Sequence, residues 1–289
     1  MNSDPGSAAR RSRVPWALAV TVGLCSGLAG YVIHAARVNR VPKQVVKVQR
    51  LTDMAGPEES PAISRDGKSV AFEAVSGGRR QIWVGAAAIT HDDADHYSPR
   101  WSADSNRLIY WASYLGSNAI WEIPAGGGEP RRLAGAMAPG DLSHDGKRLA
   151  FLRSQDTGVE LVVDERVAAR LNRATYSNLR WSPDDKKIAY VQDGNVVVVS
   201  ASGGEPVVAA NGGVQGFTWT PDNAGMIIST HGELWFVPRK EGGSPSQLTF
   251  GELSYESPDI GPGGSLVVSR RGQNATDEAD IIMFTGLKW

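Results

Sequence analysis

Short runs of β-branched and aromatic residues recur along this chain, each bounded by polar or Gly-containing turns, as strands require and amphipathic helices do not. Ser69 to Glu73, Leu108 to Trp111, Leu149 to Leu152 and Ile188 to Val191 are one such set. Each follows a short apolar strand and a turn centred on aspartate. These turns are Ile63-Ser64-Arg65-Asp66, Trp101-Ser102-Ala103-Asp104, Leu142-Ser143-His144-Asp145, Trp181-Ser182-Pro183-Asp184 and Trp219-Thr220-Pro221-Asp222, and Ile260-Gly261-Pro262-Gly263 is a degenerate sixth copy. With Ser64, Ser102, Ser143, Ser182, Thr220 and Gly261 as phase markers, the spacings are 38, 41, 39, 38 and 41 residues. That is the period of four-stranded propeller blades.

Within a copy the order is strand a, the aspartate turn, strand b, then a third run as strand c. The c runs are Gln81 to Val84, Ala119 to Ile123, Val159 to Val163, Asn195 to Ser200, Glu233 to Val237 and Asp280 to Phe284. A weaker strand d follows, as at Arg131 to Ala134, Pro206 to Ala209 and Ser246 to Thr249. The last copy reaches Trp289 soon after its strand c, while Gln49-Arg50-Leu51-Thr52 resembles Ser246-Gln247-Leu248-Thr249. Residues 46 to 52 are therefore expected to supply strand d of blade six and close the ring, leaving only short protected edges. The predicted class is all-β: a six-bladed propeller of four-stranded blades, closed by an N-terminal strand.

The phrases Glu59-Ser60-Pro61-Ala62-Ile63-Ser64-Arg65-Asp66-Gly67-Lys68 and Tyr97-Ser98-Pro99-Arg100-Trp101-Ser102 resemble the WD40-like repeat of TolB-type six-bladed propellers, over residues 46 to 289. A membrane helix followed by such a ring is similar to the C-terminal half of membrane-anchored winged-helix regulators. Here 13 residues precede the apolar segment, too few for their DNA-binding domain. The repeated residues are turn and packing residues, so the resemblance implies a fold and a binding (adaptor or sensor) role without naming a partner.

From Val14 to Ala36 no residue carries a formal charge, a length of 23 residues that suffices to cross a bilayer core of about 30 Å. The expected organisation is a short basic cytoplasmic tail at 1–13, a transmembrane helix at 14–36, a linker at 37–45 and the propeller at 46–289. A cleaved signal peptide, with Gly27-Leu28-Ala29 as its cleavage site, is the competing reading. Arg10, Arg11 and Arg13 hold the short tail in the cytoplasm, which puts the ring on the periplasmic side of a bacterial inner membrane.

Charge sharpens this division. Residues 1 to 50 carry eight Lys/Arg and one Asp, leaving 22 basic and 30 acidic residues in the rest of the chain. An acidic body gives no phosphate-neutralising face, so nucleic acid is excluded as a partner. With one cysteine, Cys25, neither an intramolecular disulfide nor a CxxC metal site can form.

Candidate chemistry sits in loops. The a–b and c–d turns share one end of the ring, and the b–c turns and d–a loops share the other. The aspartate turns read as turn formers, Asp accepting local backbone bonds and Gly taking positive φ. At the other end Glu58, Glu59, Asp92, Asp93, Asp95, Glu252 and Glu256 outnumber nearby Arg173, which predicts an acidic channel mouth that binds a protein or peptide, a basic one being the complement of that charge. In His91-Asp92-Asp93-Ala94-Asp95-His96 the residues His91, Asp93 and His96 are the only candidate metal ligands, and their spacing matches neither a calcium loop nor a helical zinc motif. No cofactor is expected. No GxSxG elbow or Walker A loop occurs, so the chain is expected to be no enzyme, with a propeller enzyme or metal-dependent lyase using the 91–96 loop as the alternative. Trp101, Trp181 and Trp219 share one strand-a position, and Trp83, Trp121 and Trp235 one strand-c position, which predicts packing between blades.

Overall fold

A computed structural model describes residues 46–114, 116–240, 242–272 and 279–289. The predicted tail, the membrane span at 14–36 and the linker lie outside these described residues. Among the described residues no helix is long and apolar enough to cross a membrane.

Six antiparallel sheets of four strands form in sequence order, as the repeat period requires. Blade one is built from Glu58–Ile63, Val70–Ser76, Arg79–Val84 and Ala87–Ala88; blade two from His96–Trp101, Arg107–Tyr114, Ser117–Pro124 and Arg131–Gly135. Blade three holds Asp141–Leu142, Leu149–Gln155, Gly158–Val163 and Arg166–Leu171, and blade four Tyr176–Trp181, Lys187–Gln192, Asn195–Ser200 and Val207–Ala210. Blade five has Val214–Trp219, Gly225–Thr230, Glu233–Pro238 and Ser246–Gln247. In blade six Leu253–Ile260, Leu266–Gly272 and Ala279–Thr285 are joined by Lys47–Arg50, which pairs antiparallel with Ala279–Thr285 from Lys47 opposite Thr285 to Arg50 opposite Ile282. The ring is closed as the repeated Leu-Thr phrase predicts.

That phrase closes the ring by a specific set of bonds. The Leu51 N–H donates to the Ile281 carbonyl at 2.8 Å, and the Ile281 N–H donates to Thr52 Oγ1 at 2.9 Å. Thr52 Oγ1 in turn donates to the Glu58 carboxylate, which also accepts the Met54 N–H at 2.8 Å. Ile89-Thr90 and Leu248-Thr249 repeat the arrangement. The Thr90 and Thr249 hydroxyls each accept a strand-c N–H, from Ile82 and Leu234, at 2.9 Å, and donate to Gln81 and Glu233. A threonine hydroxyl thus stands in for a backbone carbonyl where strand d ends early.

The aspartate turns are structural. Ser64, Ser102, Ser143 and Ser182 each donate to the aspartate two residues on at 2.6 Å, and the residue after each aspartate has positive φ. Gly67 and Gly146 take that conformation without a Cβ clash with their own backbone, whereas Ser105, Asp185 and Asn223 adopt it under these bonds.

Packing follows from two-faced burial. A blade has apolar residues on both faces, so each must be covered by a neighbour. Ala62, Ala71 and Ile82 of blade one pack with Trp101, Leu108 and Tyr110 of blade two; Ile109 and Ile120 of blade two with Phe151 and Val162 of blade three. Further clusters join blades three and four, four and five, five and six, and, through Phe72, Ala74 and Ile281, one and six. Trp101 and Trp181 add a bond across the seam, donating from Nε1 to the Ala62 carbonyl at 2.9 Å and to the Asp141 carbonyl at 3.1 Å of the preceding blade.

Strand a extends further than the sequence suggests, because it carries a bulge. In blades one, two, four and six the pairing slips by one residue after Glu59, Tyr97, Ser177 and Glu256, and the next residue, Ser60, Ser98, Asn178 or Ser257, has φ of 50 to 52°. Bulges re-aim the residues that follow them.

The closing bonds give a first prediction. Thr52→Val keeps the shape but leaves the fully buried Glu58 carboxylate without its hydroxyl donor, at a cost of about 1–3 kcal/mol. A lowered midpoint of urea unfolding is expected; a midpoint equal to wild type would show that the clasp contributes nothing.

Candidate functional site

The residue two before each phase marker lines the channel: Ala62, Arg100, Asp141, Arg180, Thr218 and Asp259. They bound a cavity of about 300 Å³ at the end of the ring where Arg65, His144, Pro183, Pro221 and Pro262 of the a–b turns form its rim. Small-molecule sites begin at about this size. Just before Asp141, Gly140 is required by packing between blades two and three, since a Cβ would meet Ile120 Cδ1 at 2.5 Å and the Ala150 carbonyl oxygen at 2.6 Å.

Four of the six axial side chains are ionisable. Arg100, Asp141 and Arg180 are 8%, 5% and 5% exposed. Each aspartate caps the adjacent blade's strand a: Asp141 Oδ2 accepts the Trp181 N–H at 2.8 Å and Asp259 Oδ2 the Ile63 N–H at 2.9 Å. Arg100 Nη1 donates to the Pro99 carbonyl at 2.6 Å. Arg180 is less well served. Its Nη2 stands 3.6 Å from Asp259 Oδ1, and its buried Nε and Nη1 have no acceptor among the described residues.

Burial dominates the titration of this cluster. It pushes Asp141 up to about 6, against the opposing pull of Arg65, the Trp181 N–H and Arg100, and it raises Asp259 against Arg100 and the Ile63 N–H. His144 is lowered, by burial first and Arg65 second, so it adds no cation at neutral pH. Burial also lowers Arg100, yet a guanidinium stays charged in proteins. With Arg65, Arg100 and Arg180 against Asp141 and Asp259, the cavity is net cationic.

The residues expected at the acidic mouth are placed less uniformly. Glu58 is not in a loop: it opens strand a of blade one, is fully buried and serves the closing clasp. Glu59 and Glu256 also lie on strands a. Glu59 pairs with Arg80 at 2.5 Å and with Arg271, and Arg271 Nε is 3.7 Å from Glu256. Asp95 pairs with Arg79 at 3.5 Å and accepts the Arg80 N–H at 2.8 Å. Arg80 also reaches the buried Glu73 at 3.3 Å, whose carboxyl burial raises. Arginines on strands b and c thus neutralise much of the expected acidity, a compensation that counting loop residues alone misses. Asp93 and Glu252 are exposed and have no ion pair among the described residues, and Asp92 Oδ1 contacts His96 Nε2 at 3.3 Å.

His91, Asp93 and His96 do not come together. His96 is buried on strand a of blade two, with Nδ1 3.1 Å from the Arg80 carbonyl oxygen, while His91 and Asp93 are exposed. No group of three or more His, Cys, Asp or Glu able to hold a metal ion forms among the described residues. The repeat grammar alone does not single out Arg100, Asp141, Arg180 and Asp259. Their signal is a charged residue two positions before the phase marker, Ser102, Ser143, Ser182 or Gly261.

No family model matches the chain, and no curated protein matches it. Solved structures do. A gluconolactonase from Xanthomonas campestris is 15% identical with a TM-score of 0.62, over 83% of this chain and 89% of that one. TolB from Acinetobacter baumannii is 16% identical with a TM-score of 0.53, over 81% of this chain and 55% of TolB, so the present chain spans about half of that protein. A chain of a nidogen/laminin complex is 11% identical with a TM-score of 0.53, over 75% of this chain and 88% of that one. These likenesses are of fold. They correct the expectation that the chain is no enzyme: the same ring carries a gluconolactonase, so missing elbow and phosphate-loop motifs do not exclude catalysis on it.

The cavity predicts a specific pH dependence. Because the folded-state value of Asp141 lies near 6 against an ordinary 3.8, the native state holds the extra proton between these values, and stability falls as pH rises through that window by roughly 3 kcal/mol. The turn aspartates Asp66, Asp104, Asp145, Asp184 and Asp222 act oppositely and elsewhere. Their Ser or Thr partners hold them below the ordinary value, so their contribution is lost only as pH falls below about 4. Asp141→Asn is therefore expected to raise the melting temperature at pH 7.5 and to flatten its decline between pH 4.5 and 7. An unaltered slope would remove Asp141 as the group that bears the burial cost.

Proposed function

We propose that this chain is a membrane-tethered propeller that captures a protein or peptide segment at the end of the ring formed by the b–c turns and d–a loops. The observation that carries the proposal is the loop between blades five and six. Phe250 in that loop, 76% exposed, and Leu253 where strand a of blade six begins, 41% exposed, flank the exposed Glu252. Exposed aromatic and aliphatic anchors beside unpaired charge are what a partner's apolar side chain and neighbouring Lys or Arg would engage. Asp92 and Asp93, in the d–a loop that enters blade two, extend the same chemistry on the same end. The acidic mouth expected from sequence thus narrows to Asp92, Asp93 and Glu252, the carboxylates without an arginine partner.

Tethering rests on the uncharged run from Val14 to Ala36, with Arg10, Arg11 and Arg13 held in the cytoplasm and the ring on the periplasmic side of a bacterial inner membrane. The nidogen/laminin match supports a protein partner for a ring of this shape.

Crosslinking and capture from native membranes with the full-length protein tests the reading. Phe250→Ser with Leu253→Ser is expected to lower recovery of the captured protein at least about tenfold. Asp92→Ser with Asp93→Ser and Glu252→Ser should weaken it in a salt-dependent way. Phe250, Leu253, Asp93 and Glu252 are exposed, and changes at such positions alter stability by less than about 0.5 kcal/mol, so the apolar variant should keep its melting temperature; Asp92→Ser also removes the acceptor of the Ala94 N–H, so the carboxylate variant is compared at a temperature well below its own melting point. Equal recovery from wild type and both variants would remove this end of the ring as the binding face.

A further inference from the structure

The six axial positions are equivalent by repeat, yet they hold Ala62, Arg100, Asp141, Arg180, Thr218 and Asp259. Ala and Thr show that the ring closes around a small neutral side chain there. Four charges at the other positions are therefore not a requirement of the blade. They are also costly, because a buried charge needs partners to offset its desolvation.

The two aspartates have such partners in the Trp181 and Ile63 N–H groups. Arg180 does not: a guanidinium 5% exposed, lining the cavity, has Nε and Nη1 unbonded and its one carboxylate neighbour beyond hydrogen-bond range at 3.6 Å. Arg65 and Arg100 border the same space.

We propose that this axial cavity is a binding site for a carboxylate group, held by Arg180 as the bidentate anchor with Arg100 and Arg65 supplying the surrounding positive charge. The planar fork of a guanidinium matches the two oxygens of a carboxylate. A monoanion fits better than a phosphate or sulfate dianion, because Asp141 and Asp259 leave a single excess positive charge. Their burial favours the protonated form, which would lend hydrogen-bond donors to the same anion as pH falls. The group can come from a small free carboxylate or from the C-terminus of a polypeptide entering between the a–b turns. The site lies at the opposite end of the ring from Phe250 and Glu252, so it stands or falls independently of the partner face.

Isothermal titration of the full-length protein in a carboxylate-free buffer, at pH 7 and constant ionic strength, tests this. The probes are sodium acetate, an N-acetylated tripeptide with a free C-terminus, the same tripeptide amidated, and sodium sulfate. Acetate is expected to bind, and sulfate at least about tenfold more weakly. Tighter binding of the free-acid tripeptide would identify a polypeptide terminus, and binding of acetate alone a small free carboxylate. Arg180→Met should weaken acetate at least about tenfold. Asp141→Asn, which removes a like charge from the cavity, should tighten it severalfold, a change that a merely structural role for the cluster would not produce. Phe250→Ser should leave acetate binding unchanged. Absence of binding by acetate and the free-acid tripeptide, equal binding of the amidated tripeptide, or an Asp141→Asn variant that binds no more tightly than wild type would overturn the proposal.

Discussion

Everything in this structure depends on one strand pairing, that of Lys47–Arg50 with Ala279–Thr285. Six blades packed face to face around an axis hold no apolar face open only if the last meets the first, and that requires a chain end brought across the whole sequence. The cluster of Phe72, Ala74 and Ile281 buries the seam, but apolar contact is non-directional and sets no register. Register comes from Thr52, whose hydroxyl bridges the Ile281 N–H and the buried Glu58. The same Leu-Thr or Ile-Thr device at Ile89-Thr90 and Leu248-Thr249 works within ordinary blades, so the closing seam uses no special chemistry.

Closure also determines what the axis holds. Strands a are innermost and one residue of each lines the axial cavity; in blades one, two, four and six that residue follows a bulge at Ser60, Ser98, Asn178 or Ser257. A serine or asparagine at φ near 50° is a departure from easy backbone geometry. It persists in four blades because it lets strand a both pair with strand b and present an inward side chain. The channel is thus a consequence of the repeat, while its contents vary from blade to blade.

The fold was largely legible in the sequence because the turns are built by local bonds. A Ser and an Asp two residues on bond to each other within their own turn, so Ser64 with Asp66 or Ser182 with Asp184 marks the same place in each copy. The candidate sites were less legible. Glu58 reads as a loop carboxylate until pairing with strand b shows that its strand starts earlier, and Arg80 and Arg271 are strand residues whose reach to Glu59 depends on which strands adjoin. Strand pairing within blade one and the meeting of blades six and one, which a linear repeat does not encode, decide these.

The repeat supplies its own control for separating fold from function. Where the copies agree, as at the Ser-x-Asp turn, the blade itself accounts for the residue, because the Ser-to-Asp bond closes the turn locally. Where they disagree in charge, as at Arg100, Asp141, Arg180 and Asp259 beside Ala62 and Thr218, no single blade requirement accounts for them. Buried ion groups often stabilise less than well-packed apolar residues of the same volume, so a ring selected for stability alone would fill these places with residues like Ala62. Thr230 and His231 point the same way by contrast: the Thr230 hydroxyl donates at 2.6 Å to the Gly212 carbonyl of the loop that enters blade five and lies 3.0 Å from His231 Nδ1, so these polar groups find partners at their own end of the blade. The axial Arg180 is the buried cation left seeking an anion inside a cavity, and it is there that the ring departs furthest from what its own architecture needs.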